Sequence, residues 1–377
     1  MKENNNLIET NKLSSILSSN NGPVFVLNDV SIRIKKGKVI GIIGESGSGK
    51  TQLMMALTGI QDLTPGPYKG EINFFINGKL KKCLPIFNNN QWAINQESSN
   101  LNFHRKDHLR FKKIVDENFK EIRTKKIGFI PQDPRTSLNP FWTMKTHFKQ
   151  SFKKSNLTEE MGSFESFMTN YCTKVDLDYN EIKDLFPHEM SGGMSQRAMI
   201  AFVLSWQPEI IIGDECTTGL DASRQINIIE IFKDLIANNK IEITLILISH
   251  DIGFLHHLVD EYFVMYAGHV IEYITDKNRL SANEDLHPYT LDLLNSLIPN
   301  NTNEKISDDE LSSLVELSTE NIGCPYYNKC SKHIELKNEI SLKCKEENPS
   351  ETQSNLYKDI GSLSLSHDWK RCWLENE

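Results

Sequence analysis

The chain has 377 residues, 42 Lys plus Arg against 50 Asp plus Glu, a formal net charge of −8 and 38% hydrophobic residues. Such a length predicts two or so folding units with ample chain for a core, and the composition excludes collagen-like, mucin-like and wholly disordered chains. The acidic balance argues against a broad nucleic-acid surface, which needs a net basic face, so nucleic acid is not an expected partner.

Residues 1–21 are rich in Asn and Ser without a sustained period, which predicts a flexible lead-in with at most one short helical piece. Its opening is too polar for a signal peptide, and no apolar run along the chain nears the roughly 18 to 20 residues that span a bilayer; a cytosolic protein is expected. Val24–Ile34, a turn at Gly37 and Lys38–Gly44 read as two strands. The second is almost wholly apolar, as befits a central strand of a parallel sheet covered on both faces.

After Glu71–Gly78 comes a polar stretch, 79–126, with consecutive Asn88, Asn89 and Asn90 and a helical period over Leu109–Arg123. It reads as a surface insertion with some helix. From about 142 to 205 the pattern is helical, a second subdomain; Glu209–Glu215 and Glu242–His250 then read as buried strands around a helix from Ala222. Strands alternating with helices predict a doubly wound α/β sheet. The β signal fades from about Asp276, so the expected organisation is a lead-in (1–21), a nucleotide-binding unit (22–275) and a helix-and-loop extension (276–377). No internal repeat is visible, which predicts one such unit.

Gly44-Glu45-Ser46-Gly47-Ser48-Gly49-Lys50-Thr51 joins an apolar strand to the helical run Gln52–Ile60, the context that a phosphate loop requires. Its glycines let successive N–H groups turn toward phosphate oxygens, and the helix start adds partial positive charge. Lys50 then reaches the β- and γ-phosphates and the Thr51 hydroxyl ligates Mg²⁺. A Gly/Ser-rich turn with an incidental Lys leaves the order strand, loop, Lys-Thr, helix unexplained. The motif alone specifies a nucleoside triphosphate and no particular reaction.

Asp214-Glu215 ends an apolar strand at the sheet edge where doubly wound folds place ligands. Neighbours on a strand point to opposite faces, so Asp214 suits Mg²⁺ while Glu215 is free to polarise a water for attack on the γ-phosphorus. His250 ends another strand and Gln132 follows the short strand Ile127–Ile130. A lone His there is ordinarily a structural hydrogen bonder; beside Lys50 and Asp214-Glu215 it stands where a donor senses the γ-phosphate. Ser191-Gly192-Gly193 opens the apolar helical run Ala198–Trp206, a second helix start that offers N–H groups and a hydroxyl to an anion.

Taken in order, the phosphate loop, Gln132, Ser191-Gly192-Gly193, Asp214-Glu215, Leu220-Asp221 and His250 resemble the nucleotide-binding subunit of an ATP-binding cassette (ABC) transporter over about Pro23 to Tyr273. The resemblance implies a P-loop ABC ATPase core with a helical subdomain, ATP and Mg²⁺ as ligands, and a head-to-tail dimer in which Ser191-Gly192-Gly193 completes the opposite subunit's site. It implies that Gln132 links Mg²⁺ to the surface meeting the membrane subunits, that Asp221 communicates across the dimer and that His250 contacts the γ-phosphate. Gln132–Pro140, Leu286–Pro299 and Gly323–Cys330 further resemble the ATPases of oligopeptide and dipeptide importers.

That subgroup implies ATP-driven peptide uptake at the cytoplasmic face of the membrane. Its partners are a second ATPase subunit, identical or related, two permease subunits and an extracytoplasmic solute-binding protein. A nickel chelate or other small solute, a soluble ABC regulator acting on ribosomes or DNA, and a subunit that binds without hydrolysing are the alternatives. The sequence departs from the family at Cys216, usually Pro, and at Ser195, usually basic; the place of the base-stacking aromatic falls near Asn21, so that base stacking is either weaker or supplied by Phe25.

Cys83, Cys172 and Cys216 are scattered and assigned no site role, whereas Cys324, Cys330, Cys344 and Cys372 gather in the extension. Four thiolates meet the ligand count of an iron–sulfur cluster and equally of tetrahedral Zn²⁺. The equivalent extension of some family members carries a cluster; a cluster, zinc and no metal all stay open.

Overall fold

The computed structural model describes residues 5–19, 22–60, 65–76, 78–84, 93–94, 101–102, 105–154, 163–217, 222–238, 242–250, 252–283, 286–297, 323–332, 338–347 and 369–372. The first half of the chain forms β1 (Asn6–Ser19), β2 (Gly22–Val30), β3 (Arg33–Lys35), β4 (Val39–Ile43), α1 (Lys50–Thr58), β5 (Pro65–Ile76), β6 (Lys79–Leu84), the short pair β7 (Ala93–Ile94) and β8 (Leu101–Asn102), α2 (Arg105–Lys125) and β9 (Ile127–Ile130). The helical stretch follows as α3 (Pro134–Ser137), α4 (Met144–Lys154), α5 (Phe164–Thr173), α6 (Tyr179–Ile182) and α7 (Gly192–Leu204). Then come β10 (Ile210–Asp214), α8 (Ala222–Asn238), β11 (Thr244–Ile248), α9 (Ile252–His256), β12 (Glu261–Tyr266) and β13 (His269–Ile274). The extension contributes α10 (Asn278–Ala282), α11 (Pro288–Leu297), α12 (Asn338–Glu346) and β14 (Trp369–Lys370).

Seven strands form the main sheet in the order β14-β13-β12-β4-β11-β10-β9. β4 pairs in parallel with both β11 and β12, and β10 with β11 and β9. Period-two alternation sends neighbouring residues of one strand into different cores. Val39 and Ile43 of β4, Ile211 of β10 and Leu245 and Leu247 of β11 pack against the helical side. Ile40 and Ile42, Ile210 and Ile212, and Ile246 and Ile248 pack on the opposite side against α1, α2 and a second sheet. Burial on both faces explains why these strands read as unbroken apolar runs.

The second sheet is antiparallel, ordered β2-β1-β5-β6 with β3 also pairing β1. Its central strand is the segment expected to be a flexible lead-in, and that expectation is corrected: Leu7, Ile8, Leu13 and Ile16 are buried. Bulges lie between Leu13 and Ser15 and between Ser15 and Ile16, and Lys12 has a φ of +48°. These break the alternation that would have marked a strand. The buried hydroxyls do backbone work instead. Thr10 Oγ1 donates to the Val30 carbonyl and accepts from Ile32 N–H, both at 3.0 Å, and Ser14 Oγ accepts from Asp29 N–H at 3.0 Å.

The 79–126 stretch also departs from a surface insertion at both ends. β6 joins the antiparallel sheet, and α2 buries Phe111, Val115, Phe119 and Ile122 at helical spacing, with Phe119 edge-on to Phe74 at 6.2 Å between ring centroids. Its consecutive asparagines lie outside the described residues. The extension, where no strand was expected, returns to the main sheet, for β14 pairs antiparallel with β13 and Arg371 N–H donates to the Ile271 carbonyl at 2.8 Å.

Candidate active site

The phosphate loop leaves β4 at the carboxyl edge of the main sheet, where β10 and β11 also end. Gly44 has a φ of +151°, and a Cβ there would fall 2.2 Å from the Met265 carbonyl oxygen, so only glycine lets the β12 end lie against the loop. Gly49, at φ +102°, caps the start of α1. The turn after β12 braces the loop further: Gly268 N–H donates to the Ser48 carbonyl at 3.0 Å.

Lys50 is 5% exposed, and its Nζ donates to the carbonyls of Gly44 and Glu45, each at 2.7 Å, and lies 3.5 Å from Ser48 Oγ. Burial lowers its pKa, opposed by the carboxylates of Glu215, Asp214 and Glu45. Thr51 Oγ1 lies 3.4 Å from Asp214 Oδ1. Burial raises the Asp214 pKa, helped by the Glu215 charge and opposed by the Thr51 hydrogen bond and by Lys50.

One residue along, Glu215 sits at φ +44°, a left-handed conformation that costs a non-glycine residue about 1–3 kcal/mol, and its N–H donates to the Ile248 carbonyl at 3.0 Å. Two groups converge on its carboxylate. Gln132 Nε2 donates to Oε2 at 2.9 Å and His250 Nδ1 lies 3.4 Å from Oε1. Lys50, Thr51, Asp214, Glu215, Gln132 and His250 thus form one cluster assembled from four strand ends.

Ser191 caps α7, its Oγ accepting from Met194 N–H at 3.3 Å. Ser191 and Gly192 are exposed, and a Cβ on Gly192 would meet nothing within 4 Å. Gly193 is buried, and Ser195 turns its hydroxyl back to the Gly192 carbonyl at 2.9 Å. Among the described residues no hydrogen bond joins Ser191, Gly192 or Gly193 to the Lys50 cluster; this helix start faces outward.

Residues 27–218 match the family model described as ABC transporter, and residues 274–335 match oligopeptide/dipeptide transporter, C-terminal region. The chain belongs to the ABC transporter family. The oligopeptide transport ATP-binding protein OppD of Bacillus subtilis is 31% identical over 312 residues, 82% of this chain and 75% of its own. The dipeptide transport ATP-binding protein DppD of Escherichia coli is 30% identical over 298 residues, 77% of this chain and 78% of its own. In fold, a bacterial ABC transporter cassette solved as a dimer superposes with a TM-score of 0.55 at 21% identity, covering 71% of this chain and 98% of that one.

Within this ABC cassette, two family departures pack quietly. Cys216 is 4% exposed, its Sγ would lie 3.1 Å from a Cβ on Gly213, and burial pushes its thiol up to about 12. Phe25 is 7% exposed and meets Tyr68 edge-on at 5.9 Å, so its ring is committed to packing, which sets it against the base-stacking expectation. Leu220 and Asp221 lie outside the described residues.

The four extension cysteines share one neighbourhood. Cys324 N–H donates to the Cys344 carbonyl at 2.8 Å. Burial, reinforced by the charges of Cys372, Cys344 and Cys330, pushes the Cys324 thiol up to about 12, and burial pushes Cys344 to about 11. Among the described residues, however, no group of three or more His, Cys, Asp or Glu side chains has a geometry that could hold a metal ion. The iron–sulfur cluster and its zinc alternative therefore lack support here.

One contact to the site was missed in sequence. Tyr289 of α11 accepts a hydrogen bond from Glu45 N–H at 2.7 Å. Its segment marks the oligopeptide and dipeptide group, yet nothing in local sequence joins it to a loop 244 positions earlier.

Proposed function

We propose that this chain is the ATPase subunit of an importer for oligopeptides or dipeptides, hydrolysing ATP to drive uptake through partner membrane permeases. The observation that carries the reading is the convergence of Gln132 and His250 on the Glu215 carboxylate beside the Thr51–Asp214 pair. Lys50 and the N–H groups of Gly47, Gly49, Lys50 and Thr51 bind and orient the triphosphate. Glu215 accepts the proton of the attacking water, and His250 and Gln132 aim its carboxylate. The hydroxyl of Thr51, the carboxylate of Asp214 and the side-chain oxygen of Gln132 are the hard donors that suit Mg²⁺. Bound there, Mg²⁺ supplies charge neutralisation of the phosphates.

Because Ser191 and Gly192 are exposed and their helix start faces outward, they suit the γ-phosphate end of a nucleotide held by a second ATPase subunit. Triphosphate then bridges two subunits and diphosphate does not, a ligand-biased two-state element. No helix among the described residues is long and apolar enough to cross a membrane. We place the chain peripherally at the cytoplasmic face, held by two permease subunits that an extracytoplasmic solute-binding protein supplies. Phe141, 86% exposed directly after Gln132–Pro140, offers an apolar contact for them.

The test is twofold. The purified chain hydrolyses Mg·ATP and the Lys50→Ala variant does not; affinity isolation from cells recovers polytopic permease subunits. Recovery with ribosomes and no permease would overturn the transport reading. Iron, sulfide and zinc analysis of anaerobically purified chain separates the cysteine alternatives, and only iron and sulfide together would restore the cluster.

A further inference from the structure

The extension is fastened to the core at the first turn of α11. The buried Glu272 carboxylate of β13 accepts from His287 N–H at 3.1 Å and from Thr290 Oγ1 at 2.5 Å, while His287 Nδ1 accepts from Tyr289 N–H at 3.1 Å. A strand carboxylate thus satisfies donors at a helix start that a local cap would ordinarily take. Tyr289 projects from this anchored turn, 1% exposed.

Its ring has little room to swing. Tyr266, at the end of β12, stands 4.7 Å away between centroids and Tyr326 stands 5.3 Å away. Tyr326 in turn donates to Asp292 Oδ2 of α11 at 2.5 Å, and its carbonyl accepts from Cys330 N–H at 3.0 Å. The three rings therefore bind the α11 turn, the cysteine-bearing segment and the end of β12 into one block.

That block meets the phosphate loop at Glu45, whose two backbone groups have separate partners. Glu45 N–H donates to Tyr289 Oη at 2.7 Å, and the Glu45 carbonyl accepts from Lys50 Nζ at 2.7 Å. Whatever fixes the Glu45 peptide also fixes one of the carbonyls on which the cradle lysine rests.

We propose that Tyr289 is a positioning residue of the nucleotide site, through which the extension holds the phosphate loop in the shape that receives the triphosphate. This rests on the ATP-site reading above. Without the hydroxyl, Glu45 N–H is left unpaired beside a buried ring, the loop relaxes, and ATP must reorder it on binding.

In the full chain, Tyr289→Phe raises the Kd and KM for Mg·ATP about three- to tenfold, the scale of one lost hydrogen bond, with kcat held within about twofold. Amide exchange quickens across 44–51 while 210–214 stays protected. Tyr262→Phe is the control, since the Tyr262 hydroxyl is buried without a hydrogen-bond partner among the described residues; it leaves KM and loop exchange unchanged. Wild-type KM and wild-type loop exchange in Tyr289→Phe overturn the proposal, even if its melting temperature falls. Should that variant not fold, the Glu45 amide of the nucleotide-free wild type decides: protection supports the proposal, and free exchange with solvent overturns it. A wild-type chain that binds no ATP overturns the ATP reading itself, a different failure.

Discussion

The Lys50 cluster and the Ser191 helix start are both built from glycine-rich turns opening a helix, yet they end up in opposite conditions. In the first, Lys50 and Asp214 are 5% and 6% exposed, Thr51 pairs with Asp214, and Gln132 and His250 both meet the Glu215 carboxylate. In the second, Ser191 and Gly192 stand in solvent and spend their polar atoms on their own helix. A cluster with a buried lysine and aspartate and an exposed glutamine and histidine is ready for charge to change at its centre; an exposed helix start is ready for something to arrive. The difference indicates where one chain's contribution ends.

The sharpest way to break this contrast is at its buried end. Glu215→Gln is expected to slow hydrolysis by about 10² to 10⁴ while ATP is retained, because only general-base assistance is lost; single-turnover phosphate release measures it. Unchanged turnover would remove Glu215 from its assigned role. At the exposed end, Gly192→Glu should fold normally, since a side chain there meets open space. Its carboxylate opposes an incoming phosphate, so hydrolysis should fall about tenfold or more in an assay at high subunit concentration, with no change in melting temperature. A fall in both would make Gly192 structural.

The buried anchor of the extension carries a pH signature of its own. Burial lifts the Glu272 carboxyl to about 7, only partly offset by its bonds to Thr290 and His287. A folded-state value above the unfolded one, near 4.3, means that the unfolded chain loses this proton first. Stability is then fully present below about pH 4.5 and declines as pH rises toward 7, by roughly 3 kcal/mol from this group alone. Denaturant melts at pH 5 and pH 7.5 should differ less for Glu272→Gln than for the parent; an equal difference would contradict the assignment. The smallest expected effect is Phe141→Ala, which removes exposed apolar surface. It should weaken permease recovery severalfold and leave ATP turnover of the isolated subunit within about twofold.

Legibility followed burial geometry. β4, β10 and β11 could be read as central strands because both faces are covered, so every position had to be apolar. β1 could not. Its interior includes Thr10 and Ser14, whose hydroxyls are satisfied by the backbone of neighbouring segments, and its bulges erase the period. α2 hid for a related reason: its buried face of Phe111, Val115, Phe119 and Ile122 is surrounded by Lys and Glu, so composition said surface while spacing said core.

The candidate site divides the same way. The amino-acid order alone established the phosphate loop, the paired carboxylates, the glutamine, the histidine and the serine–glycine helix start, because each needs a particular residue type at a fixed distance from a strand or helix end. Only the tertiary structure decided that Gln132 and His250 share the Glu215 carboxylate, that four thiols of the extension come into one neighbourhood, and that a tyrosine of the extension grips the phosphate loop. These depend on which distant strand ends and helix turns become neighbours, and no local spacing along the chain encodes that.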